Sequence, residues 1–197
     1  MEITCLVPAF KPGYFDYLLS CLKMQSRPAV RVLVSDDTTD NAFTAALQNE
    51  FTRTLAGPVP IEIIEGPRQG HHRNIERLLD RFMRRPTSHF HILNDDDLIY
   101  PEFYAKHLEI AAKSNPLCSV SKRWLANDGG FPMGYPRLPD EVASDGRMDI
   151  GISEKLLSDS IVGNGYNWLG ELSQAVFRAD FLEAPGSFCE YGDIAYY

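Results

Sequence analysis

The sequence predicts an α/β fold in which a mostly parallel, twisted sheet carries helices on both faces. Short apolar runs rich in β-branched residues alternate four times with segments that have apolar residues at helical spacing. This alternation is typical of strand–helix units in a parallel sheet. Polar residues follow each of the first four runs. The length of 197 residues suits a substantial core, so residues 1–197 are expected to form a single domain.

The first two strand–helix units begin at the N-terminus. Residues 3–7 predict the first strand, which Pro8 closes, and residues 30–34 predict the second. Each strand is followed by apolar residues at helical spacing, which predicts one continuous helix per unit. The expected apolar stripes are Phe15, Leu18, Leu19 and Leu22 in the first helix, and Phe43, Leu47, Phe51 and Leu55 in the second.

The next two units complete the predicted sheet. Residues 61–64 and 89–93 predict the third and fourth strands, and a further short strand is expected near residues 117–121. The third helix should bury a stripe from Ile75 to Met83, and the fourth should span about residues 101–113. His89 and His91 are expected within the fourth strand, and His107 on the surface of the fourth helix.

The C-terminal third has a different composition. Residues 127–149 are rich in Gly and Pro and carry few periodic apolar residues, which predicts a long loop or a pair of hairpins. Beyond them, we expect a helical turn near residues 153–157, a strand over residues 174–177 and the start of a helix at Asp193.

Charge and composition exclude several classes of protein. The formal net charge of -8 argues against a nucleic-acid-binding surface, which normally carries a basic stripe. No stretch approaches the length of a transmembrane span, and the first residues read as a core strand. These features predict a cytoplasmic protein, with a peripheral position at the inner face of the membrane as the alternative. The four cysteines lack paired spacing and are expected to be buried thiols.

Three consecutive carboxylates, Asp95, Asp96 and Asp97, directly follow the fourth predicted strand. Adjacent negative charges repel one another unless a hard divalent cation or a cationic ligand compensates them. Because side chains alternate along an extended chain, Asn94 and Asp96 are expected to point one way, and Asp95 and Asp97 the other. The alternative is an acidic turn that caps a helix opening at Pro101. Capping needs one carboxylate, so the cluster favours a metal site.

Four segments resemble, in order and spacing, the family 2 glycosyltransferases with the GT-A fold. They are VPAFKPG, VLVSDDTTDN, RQGHHRN and ILNDDDLIYPEF. Each motif is weak alone, and four in the correct order are more specific. A fifth segment, FRADFLEAPGSFCEYGDIAYY, resembles the family segment that carries the catalytic base. The resemblance covers nearly the whole chain and implies a nucleotide-sugar-binding part at residues 1–121 and an acceptor-side part at residues 122–197.

The resemblance implies how the nucleotide is bound. The residues implied at the nucleobase are Pro8, Ala9, Phe10, Asp36 and Asp37, with one aspartate accepting a hydrogen bond from the base. The alternative is that this second loop is a helix N-terminus, which Asp40 could cap. Arg73 matches the family arginine near the base and diphosphate, at the opening turn of a helix, where backbone N–H groups suit a phosphate.

The resemblance also implies a divalent cofactor, Mn²⁺ or Mg²⁺. In the family motif the first acid contacts ribose and the last binds the ion, and these positions fall on Asn94 and Asp96. Because Asn94 brings no charge, Asp95 or Asp97 is expected to contribute more than usual, Asp95 beside the nucleotide and Asp97 at the metal. A one-residue shift in register would make Asp95 and Asp97 the pair. Oxygen ligands suit these ions better than His71 or His72.

The implied reaction is the transfer of a sugar to an acceptor hydroxyl with inversion. The attacking hydroxyl must lose a proton, and Asp193 is the expected base, with Glu190 as the second choice. Asp193 could instead cap the last helix. Tyr166 and Trp168 are the expected acceptor-binding residues, and core packing is the alternative for Trp168.

The expected donor is a UDP-sugar, and the acceptor class stays open among carbohydrate, lipid-linked and protein acceptors. A rival function is a catalytically silent nucleotide-sugar-binding module or an accessory subunit, which Asn94 in place of the first acid would fit. A second rival is a sugar-phosphate nucleotidyltransferase. That class needs a glycine-rich, lysine-bearing loop after the first strand, and residues 8–13 match it poorly.

Overall fold

The protein was described from a computed structural model that covers residues 1–143, 150–163 and 165–183. The strands within these residues are β1 (Ile3–Ala9), β2 (Arg31–Asp36), β3 (Ile61–Glu65), β4 (His89–Ile92), β5 (Cys118–Val120), β6 (Leu125–Ala126), β7 (Pro132–Gly134) and β8 (Ala175–Arg178). Six of these described strands form one sheet, in the order β3-β2-β1-β4-β8-β5, and β6 and β7 form a small hairpin. The helices are α1 (Phe15–Lys23), α2 (Ala42–Ala46), α3 (Glu50–Ala56), α4 (His71–Met83), α5 (Phe103–Ser114), α6 (Asp140–Ala143) and α7 (Glu154–Leu157).

The first four strands run parallel, as the strand–helix alternation predicts. Leu6 of β1 pairs with Leu33 of β2 and Ile92 of β4, so these strands end near the same edge of the sheet. β8 is the exception, because it runs antiparallel to β4 and β5 and lies between them. The predicted strand near residues 174–177 therefore exists, and it brings the C-terminal part of the chain into the sheet, next to the edge strand β5.

Apolar side chains cover both faces of the sheet. On one face, Cys5 and Val7 of β1 belong to a buried cluster with α1, α2 and α5. On the other, Leu6 of β1 belongs to a cluster with Leu78 and Phe82 of α4. Successive strand residues point to opposite faces, and burial on both faces explains the continuous apolar runs. The predicted mostly parallel sheet with helices on both faces is confirmed.

The continuous helix expected after β2 is wrong. The chain instead forms α2 and α3, separated by residues 47–49. Asn49 caps α3, since its side-chain oxygen accepts a hydrogen bond of 2.8 Å from the N–H of Phe51. An asparagine satisfies a helix N-terminus better than it sustains a helix interior. The break turns Phe51 outward, and this residue is 67% exposed.

The placement of His107 on the helix surface is also wrong, because this side chain is buried. Its Nδ1 lies 2.6 Å from the hydroxyl of Ser119 in β5, and its ring packs against Phe103. The inward face of α5 therefore includes His107 as well as the predicted residues Tyr104 and Leu108. The hydroxyl of Ser119 makes this burial tolerable, since it gives one ring nitrogen a hydrogen-bond partner.

His91 is buried within β4, as the sequence predicts, and it links three elements. Its Nδ1 lies 3.0 Å from the Tyr104 hydroxyl, and its Nε2 lies 3.0 Å from the carbonyl oxygen of Ser173. A carbonyl only accepts, so Nε2 carries the proton and Nδ1 accepts from Tyr104. Burial lowers the pKa of His91 to about 3 and that of His107 to about 4. Both imidazoles are therefore neutral in the folded protein near neutral pH.

Among the described residues, no helix is long and apolar enough to cross a membrane. Cys5 and Cys21 are buried thiols, as expected, and Cys118 is partly buried. Burial raises the pKa of all three cysteines, to about 12 for Cys5, about 11 for Cys21 and about 12 for Cys118. Cys189 lies outside the described residues.

The buried histidines predict a loss of stability in mild acid. Below about pH 6.5 the histidines of the unfolded chain bind protons, whereas the buried imidazoles of the folded protein stay neutral. The free energy of unfolding therefore falls as the pH falls. The slope approaches about 1.4 kcal/mol per pH unit for each such histidine. Urea unfolding measured between about pH 6.5 and about pH 5, where most carboxylates stay ionised, should show this decrease in the free energy of unfolding. His91→Gln should reduce the slope, and the control His71→Gln, at an exposed position, should not. Equal slopes in wild type and His91→Gln would contradict the assignment.

Candidate functional site

The loops that follow β1, β2, β3 and β4 meet at the carboxyl edge of the sheet, where ligands bind in open α/β folds. Short backbone hydrogen bonds hold them together. The N–H of Asp37 donates to the carbonyl of Ala9 at 2.9 Å, and the N–H of Gly66 donates to the carbonyl of Asp36 at 2.9 Å. Gly66 is required here, because a Cβ would lie 2.7 Å from Asp37 Oδ1 and 2.8 Å from the carbonyl oxygen of Asp36.

Residues 94–97 form a tight turn after β4, which we call the 94–97 turn. The N–H of Asp97 donates to the carbonyl of Asn94 at 3.2 Å, and the Asn94 Nδ2 donates to Asp97 Oδ2 at 3.3 Å. The expected alternation of these side chains is wrong, since Asn94 contacts Asp97 rather than sharing a direction with Asp96. The capping alternative is wrong as well, because α5 begins at Phe103 without a side-chain cap.

Asp95 is a buried carboxylate that fastens the loop after β1 to the 94–97 turn. It is 5% exposed, and its Oδ2 accepts from the N–H groups of Phe10, at 2.6 Å, and Lys11. Such charge-assisted hydrogen bonds are stronger than neutral ones. Asp95 therefore shapes the loop after β1, in which Phe10 is exposed, while Pro8 and Ala9 at the end of β1 are buried. Direct contact between these residues and a nucleotide stays a prediction.

Asp96 lies at the exposed side of the turn and forms an ion pair with the Nζ of Lys11. Asp97 is partly buried beside it. The Oδ1 of Asn94 is buried and has no hydrogen-bond partner among the described residues. An unpartnered buried acceptor suits a cation or a hydroxyl donor from a ligand.

These oxygen atoms fit a Mg²⁺ or Mn²⁺ ion bound mainly through a ligand. In the described part of the chain, no three His, Cys, Asp or Glu side chains are grouped closely enough to cage a metal. Mg²⁺ is commonly held by one or two carboxylates together with substrate phosphates, rather than by a full protein cage. The outward carboxylate of Asp96, with Asp97 next to it, matches that arrangement.

Asp36 is fully buried, and its carboxylate stabilises the loop after β2 through hydrogen bonds. One carboxylate oxygen accepts from the Thr38 hydroxyl at 2.6 Å, and the other accepts from the N–H and hydroxyl of Thr44 at 3.0 and 3.1 Å. Asp36 thus satisfies the N-terminus of α2, and the Thr38 hydroxyl accepts from the N–H of Ala42 at 2.8 Å. The alternative in which Asp40 caps this helix is wrong, since the side chains of Asp36 and Thr38 accept from its first N–H groups.

Asp37 is also buried, and it joins the second and third loops. Its Oδ1 accepts a hydrogen bond from the N–H of Arg68, whose guanidinium donates to the carbonyl of Thr38 at 3.1 Å. The N–H of Asp37 itself donates to the carbonyl of Ala9 at the end of β1. This hydrogen bond keeps Asp37 next to the predicted nucleobase residues, and its contact with the base stays a prediction.

α4 begins at the same edge, and Gly70 precedes it with a φ of 91°. Arg73 is exposed in the first turn, and its Nη1 lies 2.7 Å from Glu76 Oε2. The next residue, Asn74, is buried, and its Nδ2 donates to the carbonyl of Ser35 at 3.1 Å. This hydrogen bond anchors the start of α4 to the end of β2, so Arg73 has a fixed backbone position beside the loops.

The predicted acceptor-binding residues, Tyr166 and Trp168, line a cavity of about 490 Å³. Trp168 is buried, and its Nε1 donates to the Ser160 hydroxyl at 2.9 Å, so most of the ring packs in the core. Tyr166 is 46% exposed, and its hydroxyl accepts from the N–H of Arg137 at 3.2 Å. Of the two, Tyr166 offers the more accessible ring face for an acceptor. The predicted bases, Asp193 and Glu190, lie outside the described residues.

Sequence reasoning missed three residues that build the site. The sequence indicates Lys11, because it is a positively charged residue in the loop after the first predicted strand. Asn74 precedes Ile75, at the edge of the apolar stripe of α4. This position indicates a polar side chain that faces the core. Ser173 gave no local signal: its hydroxyl accepts from the N–H of Asn94 at 3.0 Å, across 79 residues.

The buried hydrogen bonds of Asp36 predict a stability effect. Asp36→Ala leaves the donors of Thr38 and Thr44 without their acceptor, and it should lower the free energy of unfolding by about 3 kcal/mol. The control Asp40→Ala, at an exposed position in the same loop, should change it by less than about 0.5 kcal/mol. Chemical denaturation of the three proteins measures both values. Equal stabilities for the two variants would show that Asp36 does not hold the loop.

Comparison with solved structures places this geometry among known folds. The chain is similar to Staphylococcus aureus TarS 1–349, with 16% identity, a TM-score of 0.65, and coverage of 95% of this chain and 50% of TarS 1–349. Over 95% of this chain and half of TarS 1–349, the complex with UDP matches at 14% identity and a TM-score of 0.58. The complex with UDP-GlcNAc matches at 15% identity and a TM-score of 0.57, over 95% of this chain and 48% of that chain.

No protein-family model and no curated protein matches the sequence. The chain spans about half the length of the TarS 1–349 structures that it resembles. At this identity the likeness shows the fold alone. The predicted α/β fold of the GT-A type, with its mostly parallel sheet, is thereby confirmed.

Proposed function

We propose that this chain transfers a sugar from a UDP-sugar to an acceptor hydroxyl, with inversion at the sugar carbon. The observation that carries the proposal is the 94–97 turn at the carboxyl end of β4. It presents the carboxylate of Asp96 outward and leaves the Oδ1 of Asn94 buried without a partner among the described residues. A site of this kind suits a divalent ion on Asp96 and a ribose hydroxyl on Asn94.

The likeness in fold to TarS structures that contain UDP and UDP-GlcNAc supports the choice of donor. The nucleobase binds between the loops after β1 and β2, where Phe10 is exposed and Asp37 lies next to Ala9. An exposed aromatic ring offers a stacking surface to any base. Arg73, in the first turn of α4, contributes positive charge near the phosphates together with the N–H groups of that turn.

Asp96 and Asp97 would hold Mn²⁺ or Mg²⁺, which would supply positive charge for a departing diphosphate. Asp95 keeps the loop after β1 in place through its two backbone hydrogen bonds. The acceptor hydroxyl loses its proton to a carboxylate, for which Asp193 is proposed, with Glu190 as the second choice. Tyr166, beside the 490 Å³ cavity, is proposed to contact the acceptor.

Donor binding tests the proposal directly. UDP with Mn²⁺ should raise the melting temperature of the wild-type protein, because a ligand that binds only the folded state stabilises it. Asp96→Asn should weaken the metal-dependent part of UDP binding by about tenfold or more, as expected when a charge-assisted ligand is lost. The control Asp80→Asn, at an exposed position of α4, should behave as wild type. An unchanged melting temperature with UDP, UDP-GlcNAc and Mn²⁺ would refute the proposed donor.

Donor hydrolysis separates an enzyme from a silent binding module. With Mn²⁺ and a UDP-sugar, Asp193→Asn should lower the hydrolysis rate by about 100-fold or more, because a general base contributes about that much. UDP affinity should stay unchanged in this variant. If Glu190→Gln abolishes hydrolysis and Asp193→Asn does not, the base is Glu190. Tight UDP-sugar binding by the wild type without any turnover would favour the silent module.

A further inference from the structure

Lys11 contacts the 94–97 turn through both its backbone and its side chain, and the two contacts have different roles. Its backbone N–H donates to the buried carboxylate of Asp95, which fixes the main chain. Its Nζ pairs with the exposed carboxylate of Asp96. The ammonium group is therefore held where the proposed metal ligand faces solvent.

This ion pair can be broken at little cost. Both side chains are exposed, at 54% for Lys11 and 34% for Asp96, and exposed ion pairs contribute only about 0 to 1 kcal/mol. The lysine ammonium is a compact charge on a flexible four-carbon stem, so it can reorient while the backbone stays fixed. Asp95 keeps the stem anchored within reach of the site.

The negative charge at this edge of the sheet favours a further cationic group near the donor. The protein has a formal net charge of -8, and three of its carboxylates lie in the 94–97 turn. A nucleoside diphosphate carries more negative charge than one divalent ion neutralises. Arg68 donates to Thr38 and Asn41, and Arg73 pairs with Glu76. Lys11 differs from both arginines, because its partner is the carboxylate that the metal would take.

We infer that Lys11 is a further donor-binding residue that occupies Asp96 until a divalent ion takes its place and then binds the diphosphate of the donor. The inference rests on the proposed function and adds a residue to its site. The ammonium competes with the metal in the unliganded protein and supports the anion in the complex. One substitution should consequently shift the two affinities in opposite directions.

The test measures Mn²⁺ binding without nucleotide and UDP binding at saturating Mn²⁺, both by titration calorimetry. Lys11→Met should bind Mn²⁺ more tightly, by up to about fivefold, because its competitor is gone. The same variant should bind UDP about tenfold more weakly, because a charge-assisted hydrogen bond is lost. Lys11→Arg keeps the charge and should remain within about twofold of wild type for both ligands. The control Lys106→Met removes an exposed lysine that pairs with Glu109 in α5, and it should change neither affinity.

The outcomes separate this inference from the proposed function. A parallel loss of both affinities in Lys11→Met would mean that Lys11 only holds the loop, and it would overturn the inference. An unchanged affinity for either ligand would overturn it too, while leaving UDP binding by the wild type intact. If the wild-type protein binds no UDP with or without Mn²⁺, the proposed function fails first.

Discussion

The candidate site depends on one buried carboxylate, that of Asp95. Two backbone N–H groups from the loop after β1 donate to it, and this contact locks that loop against the turn after β4. The turn is held from the other side by the Ser173 hydroxyl, which accepts from the N–H of Asn94. With its backbone fixed on two sides, the turn can present Asp96 to solvent despite the repulsion among three adjacent carboxylates.

Identical side chains do different work at this edge because their surroundings differ. Asp36, Asp37 and Asp95 are buried and accept hydrogen bonds from the chain, so they build the loops. Asp96 is exposed and pairs with a cation that a ligand can displace. The structure thus separates carboxylates that hold the site together from those that remain open to ligands. This division explains how an acidic cluster can persist without an excessive repulsion penalty.

β8 connects the two parts of the chain. It enters the sheet antiparallel between β4 and β5, and the turn before it supplies Ser173 to both Asn94 and His91. His91 in turn accepts from Tyr104 of α5, so the 94–97 turn is tied to the helix that follows it through buried, neutral groups. The C-terminal part therefore contributes to the geometry of the proposed donor site as well as to the acceptor side.

The sequence by itself determined the strand–helix alternation, the parallel order of the first four strands and the gathering of their polar loops at one edge. These features follow from local apolar periodicity, which is readable along the chain. Only the tertiary structure decided that Asp95 and Asp36 are internal acceptors, that α2 and α3 are separate, that His107 is buried and that β8 lies inside the sheet. The physical reason is that a carboxylate is buried or exposed according to the donors that reach it. Those of Asp95 come from 84 and 85 residues away.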